Sequence, residues 1–527
     1  MMKTVLFAVA MATLPAAALS APAPTQVQVE SGVLQGADEN GVLAFKGFPF
    51  AAPPVGELRW RAPQPAPPWE GVRAAAQYGH DCMQTPFPGD AAPLGTPPAE
   101  DCLVMNVWRP AEAGARKLPV MVWIHGGGFV NGGSSPAVYS GAQFARQGVV
   151  LVSFNYRLGR FGFFGHPALT REHPEEPKGN YGYMDQIAAL QWVKRNIAAF
   201  GGDPANVTIF GESAGGGSVL TLLTSPMARG LFQKAIVESG GGRDLLMGPR
   251  RLSEDLPDTP SAETVGLNFA KAHGIEGADD AALAKLRALS AQEVDGGLSM
   301  ATMFRAGDTY PGPMIDGKVV RESPEAAYRA GHVARAPLII GVNSADLGFG
   351  AAKTKDELFA RFGAQADQAR AAYDPDGAAP LNVVAAKVYS DAMMAEPARF
   401  AARAFAGRGA PAYQYRFSYV AASLRPGWKG GAPHASEIPY VFDTVSTKYG
   451  AKLAAADARV ALSANTYWAN FAKTGDPNGP SLAPWPRYDA RADQVLDFKP
   501  DGTVAAEADP WKARLDVTAA AADAAAR

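Results

Sequence analysis

A serine hydroxyl is a weak nucleophile at neutral pH. It becomes a useful one when it is exposed beside a base, with an acid holding that base in place. The stretch TIFGESAGGGSVL, Thr208 to Leu220, contains a serine in a setting of this kind. Val207 to Phe210 reads as a short buried strand and Gly215 to Leu223 as the start of a helix. Between them, Gly211-Glu212-Ser213-Ala214-Gly215 has the G-x-S-x-G pattern. A sharp strand-to-helix turn would expose Ser213 on a strained backbone. Side chains two positions either side would collide with neighbouring chain, and Gly211 and Gly215 carry none. The helix that follows would direct its amide dipoles at a reacting carbonyl. The pattern alone also fits a Gly-rich turn with an ordinary serine; the strand before it and the helix after it favour the nucleophile.

A second element is WIHGGGFVNGG, Trp123 to Gly133. Three glycines after a strand let backbone N–H groups approach a substrate oxygen. The amides of Gly127, Gly128 and Ala214 would together form an oxyanion hole. No Lys-Ser or Lys-Thr follows and the G-x-G-x-x-G spacing is missing, which argues against nucleotide binding.

The base must be a histidine, and the chain has 7. His434, in GGAPHASEIPYVF, follows the serine in a Gly/Pro loop. His80, His166, His173, His273 and His332 stand in polar or helical contexts and read as surface residues, while His125 reads as packed at the start of the glycine loop. The acid should follow a strand and precede the histidine. Asp346, in LIIGVNSADLGFG, does so. Many other carboxylates lie between Ser213 and His434, so order alone leaves the choice open.

These residues need a scaffold. LPVMVWI (Leu118–Ile124), VVLVSFNY (Val149–Tyr156), the run before Ser213, KAIVESG and APLIIGV (Ala336–Val342) read as strands. Ile187, Leu190, Val193 and Ile197 form one helical stripe between two of them. Continuous apolar strands between helices predict an α/β chain: a large, mostly parallel central sheet flanked by helices. AYQYRFSYV, with Tyr413, Tyr415 and Phe417 alternating, reads as a late strand. The region from about Leu245 to Ala330 reads as a mostly helical insertion over the sheet. RAPQPAPPWEG and Pro86 to Pro98 read as loops, and the Ala-rich C-terminus as a short helix or frayed end.

The 527 residues allow on the order of three domains by length, but large α/β enzymes often build one with insertions. At 47% apolar residues the composition is globular. With 49 basic and 51 acidic residues, net charge −2, the chain has no general attraction to nucleic acid or anionic membrane. Residues 1–20 have the layout of a secretory signal: Lys3, an apolar Val5–Leu14, then Ala18-Leu19-Ser20 as a cleavage site. The domain assignment is therefore 1–20 leader and 21–527 one catalytic domain, periplasmic or secreted. No later segment has the length and uniform apolarity of a membrane span. In an exported chain Cys82 and Cys102 read as a disulfide, with two buried thiols as the alternative. Neither HExxH nor CxxC is present, and no metal or organic cofactor is expected.

Taken together, the blocks GFPFAAPPVGELRWRAPQP, EDCLVMNVW, PVMVWIHGGGF, NYRLGRFGFFG, GNYGYMDQIAALQWVKRNIAAFGGDPANVTIFGESAGG, HASEIPYVF and ANFAKTGDPNGP resemble the type-B carboxylesterase family, the cholinesterase-like α/β-hydrolases. The resemblance implies an α/β-hydrolase fold with helical insertions over the active site. It implies Ser213 as nucleophile, His434 as general base, and Gly127, Gly128 and Ala214 as oxyanion donors. Asp346 falls where the family usually has glutamate; its shorter side chain needs a closer backbone. Glu212, Ser239 and Glu437 match positions that typically stand just behind the triad, and Cys82 and Cys102 match the family's first disulfide. The activity implied is hydrolysis of small-molecule carboxylic esters through an acyl-enzyme, with activity falling below about pH 6.5, the ordinary histidine value. The other readings are a non-catalytic binding or adhesion protein, an acyltransferase, or a lipase. Met303, Phe304, Phe349 and Trp428 are candidates for a substrate pocket or for ordinary packing. Oligomeric state is not encoded in any pattern found.

Overall fold

Strand formers that run unbroken over five to eleven residues need cover on both faces, and the sheet they build here has it. The computed structural model describes residues 25–112, 117–244 and 248–526. Residues 1–20, expected from sequence to be a leader, lie outside them, as do Leu245 and Arg527. One 11-stranded sheet contains β1 (Ala37–Asp38), β2 (Val42–Pro49), β3 (Val104–Pro110), β4 (Leu118–Ile124), β5 (Val150–Phe154), β6 (Gly202–Glu212), β7 (Lys234–Glu238), β8 (Leu338–Asn343), β9 (Ala412–Phe417), β10 (Gln494–Phe498) and β11 (Val504–Ala508). Across the sheet the order is β11-β10-β9-β8-β7-β6-β4-β5-β3-β2-β1. From β5 to β10 every pairing is parallel. The strands beyond, β3, β2 and β1 on one side and β11 on the other, are antiparallel.

Alternate side chains of one strand enter different cores. Val120, Val122 and Ile124 of β4 pack with α1 (Tyr181–Asn196), α2 (Ala214–Thr224) and α3 (Glu396–Ala406). Met121 and Trp123 face the other layer, where α4 (Ala455–Thr474) supplies Tyr467, Trp468 and Phe471. The expected stripe on α1 is buried throughout, but Ile197 lies past its end. It opens a 3-10 turn, Ile197–Phe200, that Gly201 closes at φ 79°. On β9, Tyr413, Tyr415 and Phe417 share one core as their alternation predicts, yet Gln414 and Arg416 are buried too. Arg416 bonds Asp509 at 2.8 Å and stacks 3.5 Å from the Trp511 ring.

The insertion consists of short helices, Ala262–Ala272, Asp280–Ala288, Ala291–Asp295 and Pro324–Ala330, joined by irregular chain. Residues 61–71 and Pro86–Pro98 hold no helix or strand beyond isolated bridges. The Ala-rich C-terminus is an ordered helix, α5 (Lys512–Ala525), fixed by buried Leu515 and by the Arg243–Asp523 pair at 3.1 Å. No helix among the described residues is long and apolar enough to cross a membrane.

In this arrangement β4 and β6 are neighbours whose outgoing connections diverge, β4 leading to β5 on one side and β6 to β7 on the other. Open α/β sheets form their ligand crevice at such a point, beyond the carboxyl ends of the strands. The glycine loop follows β4 there, and Ser213 follows β6.

Cys82 and Cys102 are joined, closing a loop across a separation of 20 residues. The Cys102→Ala variant is expected to lose about 3 kcal/mol, the chain entropy released by a loop of this length. Equilibrium denaturation of the two proteins measures it; unchanged stability would mean that the loop is held by its other contacts.

Candidate active site

Ser213 caps β6 with φ 56° and ψ −122°, a conformation that L-residues rarely adopt. Its own amide donates to the Glu238 carbonyl (2.9 Å), and its carbonyl accepts from Gly217 N (2.8 Å). The flanking glycines are required for the reason their positions suggest. A Cβ on Gly211 would lie 2.5 Å from the Ile124 carbonyl oxygen, and one on Gly215 only 1.9 Å from it. On the other side of the crevice, Gly127 (φ 103°) and Gly128 (φ 63°) turn the loop after β4. A Cβ on Gly127 would stand 2.2 Å from the Asn131 carbonyl oxygen. Among the described residues, the Gly127, Gly128 and Ala214 amides donate no hydrogen bond to a protein acceptor. Three backbone donors are thus left unspent beside the serine.

Asp346 lies beyond β8 and His434 in the loop after β9. A parallel bridge between Ala345 and Pro433, with Ala345 N donating to Ala432 O at 2.9 Å, brings the two loops together. This is the close backbone that a short aspartate needs. His434 Nδ1 is 2.5 Å from Asp346 Oδ1, which assigns the ring proton to Nδ1. Asp346 Oδ2 accepts from Ser239 Oγ (2.6 Å) and Asn343 N (2.9 Å), and Oδ1 accepts from Leu347 N (2.8 Å). The imidazole reaches the elbow: its Nε2 is 3.0 Å from Glu212 Oε1, on the residue preceding Ser213. Among the described residues the Ser213 hydroxyl makes no hydrogen bond to His434. Catalytic bonds of this kind commonly close only around substrate.

Three buried carboxyls, Glu212, Asp346 and Glu437, act on that ring, and Glu238 stands behind them. Burial, with Glu437 and Asp346 nearby, pushes Glu212 well above the carboxylate range against the pull of His434. Burial likewise raises Glu238, whose Oε1 accepts from Trp468 Nε1 at 2.8 Å. Glu437 is pushed up to about 7, mostly by burial. Asp346 is the exception: burial would raise it, but the charge and hydrogen bond of His434 and the Ser239 and Asn343 donors hold it below its usual value. Burial lowers His434, yet Glu212 and Asp346 outweigh it and push the ring up to about 10.

The structure brings Glu212, Ser239 and Glu437 close to the Asp346–His434 pair. Ser239 (φ 47°) bonds Asp346, Glu212 faces the ring, and Glu437 accepts from the Asn343 side chain. Asn343 and Glu238 are additional. Each is a polar residue closing an apolar strand, a signal present in GVNSAD and VESG. His125 is packed as expected, stacked 4.4 Å from Tyr156 and driven down to about 4 by burial. His166 is not the surface residue expected. It is fully buried, its Nδ1 accepts from Ala168 N at 3.3 Å to start a helix, and burial lowers it to about 4. Of the pocket candidates, Met303 packs over Gly128, its Sδ 3.2 Å from where a Cβ there would sit. Phe304, Phe349 and Trp428 are exposed, the first two edge-to-face at 5.5 Å. His173, Glu175 and Glu176 bring donor atoms within 4.8 Å of one another, but Arg61 at 2.6 Å and Lys178 at 4.0 Å already neutralise Glu176.

The sequence model of the carboxylesterase family matches residues 23–515. The chain belongs to the carboxylesterase family. It is 36% identical over 494 residues to fumonisin B1 esterase of Sphingopyxis macrogoltabida, covering 89% of this chain and 85% of the relative. It is 35% identical over 516 residues to para-nitrobenzyl esterase of Bacillus subtilis (strain 168), covering 92% and 96%. A solved PNB esterase superposes with a TM-score of 0.78 at 31% identity, covering 94% of this chain and 100% of that one. Carboxylic ester hydrolysis is this chain's activity class, and the sheet with its flanking helices is the α/β-hydrolase fold.

A histidine raised above its ordinary value is protonated where a free one would be neutral, and an imidazolium cannot accept a proton. Activity should therefore rise with pH through a midpoint above 6.5, higher than the sequence alone suggests. The pH profile of kcat/KM measures this; a midpoint at or below 6.5 contradicts it.

Proposed function

We propose that Ser213, His434 and Asp346 are the catalytic triad of a serine carboxylesterase. The observation carrying this reading is the chain of contacts from Asp346 through His434 to the strained elbow, opposite three unspent amides. His434 Nε2 takes the proton from Ser213 Oγ as the oxygen adds to the ester carbonyl carbon. The carbonyl π pair moves to oxygen, where the Gly127, Gly128 and Ala214 amides receive it. The intermediate collapses, His434 protonates the departing alcohol, and an acyl-Ser213 ester remains. Water, deprotonated by His434, adds to the acyl carbon; collapse then breaks the acyl–Oγ bond, His434 returns the proton to Ser213 Oγ, and the acid leaves. Asp346 holds the ring in the tautomer with Nδ1 protonated and stabilises the imidazolium. Each step draws on these side chains and amides and on water.

The relatives' names, a para-nitrobenzyl esterase and a fumonisin esterase, support a small-molecule ester as substrate. We further read residues 1–20 as a secretory leader and 21–527 as one α/β-hydrolase domain, periplasmic or secreted. The Cys82–Cys102 disulfide is the feature of the folded chain that supports export.

Ser213→Ala is expected to lower kcat by about 10⁶-fold, and a fluorophosphonate should label the parent protein at Ser213 alone. A folded variant that still cleaves p-nitrophenyl acetate would move the nucleophile elsewhere. Asp346→Asn should remain folded and lose about 10⁴-fold in kcat, because an amide at this position permits the wrong tautomer. Full activity would hand the orienting role to another carboxyl group.

A further inference from the structure

We infer that Gln84 is a positioning residue for ester hydrolysis: its carboxamide grips the backbone of Gly132 and so fixes the glycine loop that presents the oxyanion amides. The inference rests on the reading of Gly127 and Gly128 as oxyanion donors.

The side chain of Gln84 is buried and every hydrogen-bonding capacity of its amide is used. Nε2 donates to the carbonyls of Gly132 (2.6 Å) and Cys82 (2.9 Å). Oε1 accepts from Gly132 N (2.9 Å) and from Asn131 Nδ2 (3.2 Å). The carboxamide therefore pairs with Gly132 through both N–H and C=O, as a neighbouring peptide group would. Glutamate would lose the two donors, and leucine all four bonds.

The gripped residue is the back wall of the oxyanion loop. A Cβ on Gly132 would stand 2.5 Å from the Gly126 carbonyl oxygen and 2.5 Å from His125 Nδ1. The Gly127 carbonyl accepts from Val130 N (3.1 Å) and Asn131 N (2.8 Å), so residues 127–131 form one tight turn whose far end Gln84 holds. Asn131 extends the hold. Its Nδ2 also donates to Thr85 O (2.8 Å), and its Oδ1 accepts from Met300 N (2.8 Å) in the insertion. Thr85 Oγ1 in turn donates to Asp295 (2.6 Å). Cys82, two residues before Gln84, is tied to Cys102, so the grip is anchored to the body of the sheet just before β3.

Oxyanion donors act by being in place before charge develops, and a shift of about 1 Å in such a group costs on the order of 100-fold in rate. A loosened loop should weaken the transition state far more than the bound ester. The test uses Gln84→Leu in the full-length, disulfide-intact protein. With p-nitrophenyl acetate, kcat is expected to fall about 100-fold while KM stays within about two-fold. Affinity for an aryl trifluoromethyl ketone, which Ser213 converts to an oxyanion-bearing hemiketal, should fall by the same factor as kcat/KM. A folded Gln84→Leu with unchanged kcat, or one whose loss appears in KM or leaves ketone affinity intact, overturns the inference. Should that variant fail to fold, Gln84→Glu keeps the acceptor side of the grip and is expected to show a smaller loss of the same kind; parental kcat in it would be equally fatal. Ser213→Ala separates the two levels. If it stays active, the triad reading fails whatever Gln84 does; if it is inactive and Gln84→Leu is not impaired, only this inference fails.

Discussion

Where β4 and β6 end side by side, no side chain separates them: a single added carbon on Gly215 would come within 1.9 Å of the Ile124 carbonyl oxygen. This backbone-on-backbone approach sets the distance between the serine turn and the glycine loop. It requires glycine on the β6 side, a positive φ at Ser213 and a second run of glycines after β4. The helix α2 then starts under the serine with an amide to spare. The remaining parts of the site are brought to this contact by longer routes, through β8 and β9.

The electrostatics follow from the same enclosure. One partly buried imidazole sits against three buried carboxyls with Glu238 behind them, so only some of those carboxyls can be ionised together. Asp346 wins the charge because it collects the most donors: His434, Ser239, Asn343 N and Leu347 N. Glu212 and Glu238, with fewer or no donors to their oxygens, are pushed toward the neutral acid. The strain at Ser213 and Ser239, both at positive φ, is tolerated because each follows directly on a strand fixed by parallel neighbours.

Much of this was legible in the residues. The strands around Ser213 and Asp346 are continuous apolar runs, and β4 begins and ends where LPVMVWI does, since glycine and the preceding polar stretch mark its limits. The strands leading to Ser213, Asp346 and His434 follow one another across the sheet because sheet order follows chain order from β6 to β10. Other features could not be read from pattern. His166 is fully buried after the apolar run Phe161–Gly165, a signal that its own polar side chain masks. Ile197 continues the stripe of α1 by spacing alone, yet the Gly201 turn ends the helix first. The raised histidine value depends on Glu212 and Asp346 meeting across 134 positions of chain, and the grip of Gln84 on Gly132 across 48; neither leaves a periodicity to detect.

The two outermost strands of the sheet differ in how they finish it. β1 has only two residues, Ala37–Asp38, too few to template a neighbour. β11 is longer, but it carries Glu507, paired at 2.7 Å with Lys499 beside it. Another chain adding itself along that border would have to strip water from this pair, a cost that natural sheets use against fibrous growth. Self-association by sheet continuation is therefore resisted at both borders.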